Sequence, residues 1–182
     1  MKGMKKAAEF IEIAPCVREK GSVHEFSEVI GKITKDFGVK NVIDFGCGDG
    51  KLCKGFARED YLGLDSDETI LQIARNTFFD YTFALPTNTI YSADMVIACR
   101  VLSELEEERI HEVVRNMRCK WFLIAEPLSE ISFNKRDLEG YKKMMRSHDL
   151  LLFQHRVTPL EGGNHKEISF LLFKRCGRNP NS

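Results

Sequence analysis

The chain has 182 residues, 43% of them hydrophobic and 30% charged, which is enough apolar material for one sizeable core and predicts a single domain over residues 1–182. Lysine plus arginine and aspartate plus glutamate both number 27, so no net charge draws the protein to nucleic acid, although a local patch can still do so. The six cysteines form no Cys-x-x-Cys pair and no His/Cys cluster at zinc spacing, which predicts a reduced, cytoplasmic setting and no metal site.

The N-terminal "MKGMKKAAEF" is basic, but no apolar segment of signal-peptide length follows it, so residues 1–21 read as an extension. From Ser22 to Phe37, Val23, Phe26, Val29, Ile30, Ile33 and Phe37 recur at steps of three and four behind a Ser22/Glu25 capping box and stop at Gly38. That spacing predicts an amphipathic helix. Short apolar runs follow, "NVIDFG", "YLGLD", a weaker one inside "TFFDYTFAL", "DMVIAC" and "WFLIAE", and these read as buried parallel strands. Segments of helical period separate them: Lys51 to Glu59, Asp67 to Arg75 and Glu104 to Met117. A further helix is expected over Asp137 to Ser147. The last strands, "LLFQHRV" and "EISFLLF", flank "TPLEGGNHK", which is too short for a helical crossover and predicts an antiparallel hairpin. The closing "GRNPNS", residues 177–182, reads as a flexible tail. The alternation of strand and helix predicts an α/β protein with a doubly wound, mostly parallel sheet.

In such a sheet ligands bind at the carboxyl ends of the strands, and the turn after the first strand is the usual place. Here that turn is "FGCGDGKL", in which Gly46, Gly48 and Gly50 tolerate positive φ and admit close approach of another molecule to the backbone. The second strand ends in Asp65, where a carboxylate can accept both hydroxyls of an adenosine ribose through charge-assisted bonds of about 1.5 to 3 kcal/mol each. A dinucleotide would require G-x-G-x-x-G, but Lys51 stands where the third glycine belongs. Asp44 and Asp49 flank the turn and would repel a pyrophosphate, whereas a sulfonium with an ammonium group would be attracted. The electrostatics favour S-adenosylmethionine over NAD.

"VIDFGCGDGKL" resembles motif I of the class I S-adenosylmethionine-dependent methyltransferases, and "YLGLDSDETILQIAR" resembles their second motif with its ribose-binding acid. "ALPTNTIYSADMVIACRVLSEL" is similar to the third and fourth segments of that family, and the likeness covers about residues 22 to 173. The resemblance implies a Rossmann-like, seven-stranded sheet with a C-terminal antiparallel hairpin. It also implies that Asp44, Gly46, Cys47, Gly48 and Gly50 line the methionine moiety, that Asp65 holds the ribose and that Ser66 lies beside the adenine. Asp80 is the nearest acid for the adenine amino group, and Cys99 with Arg100 should border the methyl group and the acceptor.

Methyl transfer from a sulfonium needs alignment above all, with a base required only if the acceptor loses a proton. Glu126 after the fifth strand, His165 in the hairpin loop and His24 on the first helix are the candidates for that role, each weighed against a solvent or packing position. The place after the fourth strand reads "CRVL" and lacks the Asn-Pro-Pro-aromatic motif of the family's amide- and adenine-methylating branches. Lys135, Arg136, Lys142 and Lys143, with Tyr141 among them, form a basic stretch that would contact RNA if it is not a solvated helix face. The expected activity is methyl transfer to a small molecule, an RNA or a protein. The alternatives are a non-catalytic partner subunit and an NAD-dependent oxidoreductase.

Overall fold

The computed structural model describes residues 23–126, 137–159 and 167–176. Its elements in chain order are α1 (Val23–Asp36), β1 (Val42–Phe45), β2 (Tyr61–Leu64), α2 (Glu68–Thr77), β3 (Thr82–Ala84), β4 (Tyr91–Cys99), α3 (Glu107–Asn116), β5 (Met117–Glu126), α4 (Leu138–Arg146), β6 (Leu150–Pro159) and β7 (Glu167–Arg175). The strands form one seven-stranded sheet in the order β3-β2-β1-β4-β5-β7-β6. β1 to β5 pair in parallel, and β7 enters antiparallel between β5 and β6. The order reverses between β1 and β4, so their carboxyl ends open the crevice in which such sheets bind ligands.

Each face of the sheet carries its own core. Phe45, Val96, Phe122 and Phe173 pack beneath Ile110 and Val113 of α3 and Tyr141 and Met145 of α4. Val42, Met95, Leu123 and Leu172 pack beneath Phe26 and Ile30 of α1 and Leu71 of α2. Strands covered on both faces must be apolar throughout, which is why "MVIAC" and "WFLIA" show no alternation. At the amino edge, Asp94 Oδ2 accepts from the Lys40 and Asn41 amides while its own N–H donates to Asn41 Oδ1 at 2.7 Å, tying β1 to β4.

The helix expected over Lys51 to Glu59 is instead a pair of 3₁₀ turns, Lys51–Gly55 and Arg58–Asp60. Gly50 enters the first turn with φ 78° and Gly55 ends it, and the bonds Cys53 N–H to Gly50 O and Phe56 N–H to Cys53 O keep the tighter i, i+3 spacing. Likewise α3 starts at Glu107, after a separate 3₁₀ turn over Leu102–Glu104. Asp67 caps α2 by accepting from the Thr69 and Ile70 amides.

Gly63 lies in the middle of β2, opposite Asp44 and Phe83. A Cβ there would fall 2.5 Å from Phe83 Cδ1 and 2.9 Å from Cys47 Sγ. Gly63→Ala should therefore lower stability by about 1–3 kcal/mol through overpacking. Equilibrium urea unfolding reads this, and an unchanged midpoint would show that the two neighbours yield freely.

Candidate functional site

The turn after β1 is built from left-handed glycines, with φ 75° at Gly46, 54° at Gly48 and 78° at Gly50. Packing requires glycine as well. A Cβ at Gly46 would lie 2.6 Å from Val101 Cγ2, and one at Gly50 would lie 2.7 Å from the Phe83 ring. The Gly46 and Cys47 amides donate to Leu64 O at 2.7 and 3.0 Å, hanging the turn from the end of β2. Asp65 completes the tie: its Oδ2 accepts from Gly48 N–H at 2.8 Å and its Oδ1 from Asp67 N–H at 3.1 Å. The acid is buried, so these bonds form with little competition from water.

Asp44 lies beneath the turn, 1% exposed, and accepts from the Tyr61 hydroxyl at 2.7 Å. Burial, and after it the Asp44 charge, pushes the Tyr61 hydroxyl well above its usual range, so Tyr61 stays a donor. The same two causes push the Cys53 thiol up to about 12, which leaves it protonated and unreactive. Asp49, expected to set negative charge beside the turn, has part of that charge offset by Lys51, whose Nζ stands 2.6 Å from its Oδ2. Its Oδ1 is buried with no hydrogen-bond partner among the described residues. An orphaned acceptor of this kind is what a cationic ligand entering the turn would satisfy.

Beyond β4 the chain turns sharply. Arg100 has φ 53°, a strained conformation for a side chain of its size, and its amide donates to Ala125 O at 2.9 Å. Val101 then packs on Gly46, and Leu102 and Ser103 begin the 3₁₀ turn. Glu126, at the end of β5 and 1% exposed, holds that turn. Its Oε1 accepts from Leu102 N–H at 2.9 Å and Ser103 N–H at 3.3 Å, and its Oε2 from the Ser103 hydroxyl at 2.9 Å. Burial raises its carboxyl to about 7 against the opposing pull of the Ser103 side chain and the Ser103, Leu102 and Val101 amides.

The structure thus gathers Asp44, Gly46, Cys47, Gly48, Gly50, Asp65, Ser66, Cys99 and Arg100 around the carboxyl ends of β1, β2 and β4. Asp80 does not join them. It precedes β3 and so lies at the amino end of a strand parallel to β2, where its Oδ2 pairs with Arg58 Nε at 2.8 Å. The residues that do follow β3, Leu85 and Pro86, carry no acid. Glu126 reaches the right end of the sheet, but its carboxylate is turned into the Leu102–Ser103 backbone. His24 is in α1, while His165, Lys135 and Arg136 lie outside the described residues, as do residues 1–21 and 177–182. Tyr141, expected among the basic side chains of α4, is 1% exposed within the core, and Lys142 Nζ pairs with Glu139 at 2.6 Å. Tyr61 and Ser103 were not anticipated as supports; the only sign of the first is a hydroxyl opening the otherwise apolar "YLGL".

No protein-family model and no curated protein matches the sequence. Solved structures do match. The magnesium protoporphyrin IX methyltransferase of Synechocystis PCC 6803, solved with bound S-adenosylmethionine, superposes with a TM-score of 0.68 at 15% identity over 84% of this chain and 79% of that one. A protein of Pyrococcus horikoshii provisionally described as an RNA methyltransferase gives 0.69 at 10% identity over 92% and 93%. An S-adenosylmethionine-dependent methyltransferase of Methanosarcina mazei gives 0.64 at 14% identity over 79% and 96%. At these identities the likeness is one of fold, and it extends over most of both chains.

Proposed function

We propose that this chain, which has the fold of the class I S-adenosylmethionine-dependent methyltransferases, binds S-adenosylmethionine at the turn after β1 and transfers its methyl group. The observation that carries the reading is Asp65, a buried carboxylate at the carboxyl end of β2 locked to the glycine turn through Gly48 N–H. A carboxylate offers about four acceptor positions, and two of these are used within the chain. The remaining capacity suits the paired hydroxyls of a ribose. The left-handed Gly48 gives the turn a backbone without a side chain toward the methionine moiety, and Asp49 Oδ1 is an acceptor for its ammonium group.

When bound, S-adenosylmethionine supplies a methyl group on a leaving sulfonium, so the chain's own task is alignment. Cys99 and Arg100, at the end of β4, border the place where an acceptor would enter. Glu126 serves by fixing the turn that follows them. The structural neighbours named above differ in what they are described as methylating, so fold does not choose the acceptor.

Calorimetric titration tests the first step: S-adenosylmethionine and S-adenosylhomocysteine should bind, and a nicotinamide dinucleotide should not. Absence of heat with both sulfur compounds would overturn the proposal. Incubation with labelled donor and fractionated lysate then asks which pool, small-molecule, RNA or protein, takes up the label. Binding without any labelled pool would favour a non-catalytic partner subunit.

A further inference from the structure

At the amino ends of the parallel strands, opposite the glycine turn, the sheet edge divides into halves of unlike charge. Glu59, Asp60 and Asp94 border a concavity of about 510 Å³ beside β1, β2 and β4. Next to it, Arg115, Arg118, Lys120 and Arg175 border one of about 600 Å³ beside β5 and β7, with Asp149 the acid among its lining residues. Several cations elsewhere are paired: Lys51 with Asp49, Arg58 with Asp80, Arg75 with Glu68, Arg109 with Glu112 and Lys142 with Glu139. Arg115, Arg118, Lys120 and Lys174 make no such pair among the described residues. A chain of zero net charge thus brings three cations without an ion pair, Arg115, Arg118 and Lys120, to the border of one concavity.

The floor of this concavity is tied by hydrogen bonds. The Arg175 guanidinium donates to Met117 O, Cys119 O and His148 O at 3.1, 3.0 and 3.0 Å, which clamps the end of β7 onto β5 and leaves its charge in place. The local field is felt nearby: His148 is harder to protonate than usual because of burial first, and then because of the His111, Arg115 and Arg175 charges. Aromatic rings adjoin the cations. Lys120 and Lys174 Nζ each stand 5.7 Å from the Trp121 ring, and Lys174 stands 6.0 Å from Phe153, which packs edge-on against Trp121 yet remains 54% exposed.

We propose that this edge docks the phosphodiester backbone of a single-stranded nucleic acid, with Arg115, Arg118 and Lys120 of the concavity meeting phosphates and the exposed face of Phe153, which adjoins Lys120 through the Trp121 ring, meeting a base. Unpaired cations that release counterions and an accessible ring that stacks on any base are the components of sequence-tolerant single-strand binding. The concavity is open along the sheet edge, which an extended chain of phosphates can follow. A membrane surface would require a broad apolar face, and here Leu151 and Phe153 are the exposed large apolar side chains near the cations. β5 runs its ten residues from Met117 at this edge to Glu126 at the other, roughly 30 Å at 3.3 Å per residue, so the surface is an anchor separate from the glycine turn.

The test is fluorescence anisotropy with a labelled oligouridylate in low salt, on wild type, Arg118→Glu/Lys120→Glu, Phe153→Ala and, as control, Lys142→Glu. Binding is expected, with log affinity falling by about 0.7 per decade of salt for each phosphate engaged. The double reversal should weaken it more than tenfold and Phe153→Ala roughly tenfold, while Lys142→Glu leaves it unchanged. Circular dichroism spectra should be equal in all four proteins, which shows that the variants fold and keeps this test independent of the methyltransferase reading. No binding in low salt, equal loss in the Lys142→Glu control, or capture by phosphatidylserine vesicles instead of the oligonucleotide would each overturn the proposal.

Discussion

Asp65→Ala should lower the affinity for S-adenosylhomocysteine by about 100-fold, a change of roughly 3 kcal/mol. Two charge-assisted bonds to ribose hydroxyls, at about 1.5 to 3 kcal/mol each, account for a loss of that size. The effect has a second source inside the protein. Asp65 is the acceptor for Gly48 N–H and Asp67 N–H, so removing it also loosens the glycine turn and the start of α2. Asp65→Asn separates the two contributions in part, because the amide keeps one acceptor oxygen but sets a donor against one of those N–H groups. Its affinity should fall between the other two. Calorimetry on proteins shown by circular dichroism to be folded makes the measurement, and an Asp65→Ala protein that binds as wild type does would remove this residue from the cofactor site.

Glu126→Ala should cost about 3 kcal/mol of stability, since it opens a cavity and takes the acceptor from Leu102 N–H, Ser103 N–H and the Ser103 hydroxyl at once. The same carboxyl also makes stability depend on pH, with a definite sign. Its folded value is raised from 4.5 to about 7, so between those values the folded protein holds a proton that the unfolded chain releases. The contribution is complete below 4.5 and is lost as pH rises through about 7, amounting to about 3 kcal/mol at 1.36 kcal/mol per pH unit. Glu126→Gln retains an acceptor without the titration. Urea unfolding of wild type and Glu126→Gln at pH 4.5 and above 7 should show the variant gaining on wild type as pH rises, and parallel curves would show that Glu126 does not titrate in this range.

The elements whose residues alternate or recur with a clear period were legible in the sequence. α1 is read correctly to within a residue from its apolar stripe, and the terminal hairpin follows from a connection too short to cross over. Lys51 to Glu59 misled because its apolar residues are few, and Gly50 before it and Gly55 at its middle permit tighter turns than their spacing reveals. Asp80 misled for a different reason. "FFDYTFALP" does not show where β3 starts, and a shift of a few residues carries an acid from one end of the sheet to the other.

What the sequence determined by itself was local: the glycine turn, the acid after the second strand, the order of strand and helix, and the demand of apolar runs for burial on both faces. Each of these is a property of neighbours along the chain. The tertiary structure alone decided which distant groups meet. It bonded Asp65 to Gly48, set Val101 against Gly46, and turned Glu126 from a free carboxylate into the support of the Leu102–Ser103 turn. It also assembled Arg115, Arg118, Lys120 and Lys174 into one basic edge, although the composition is neutral. Charge and hydrogen bonding act through space over a few ångströms, and the distances between residues far apart in sequence exist only once the sheet has set its strand order.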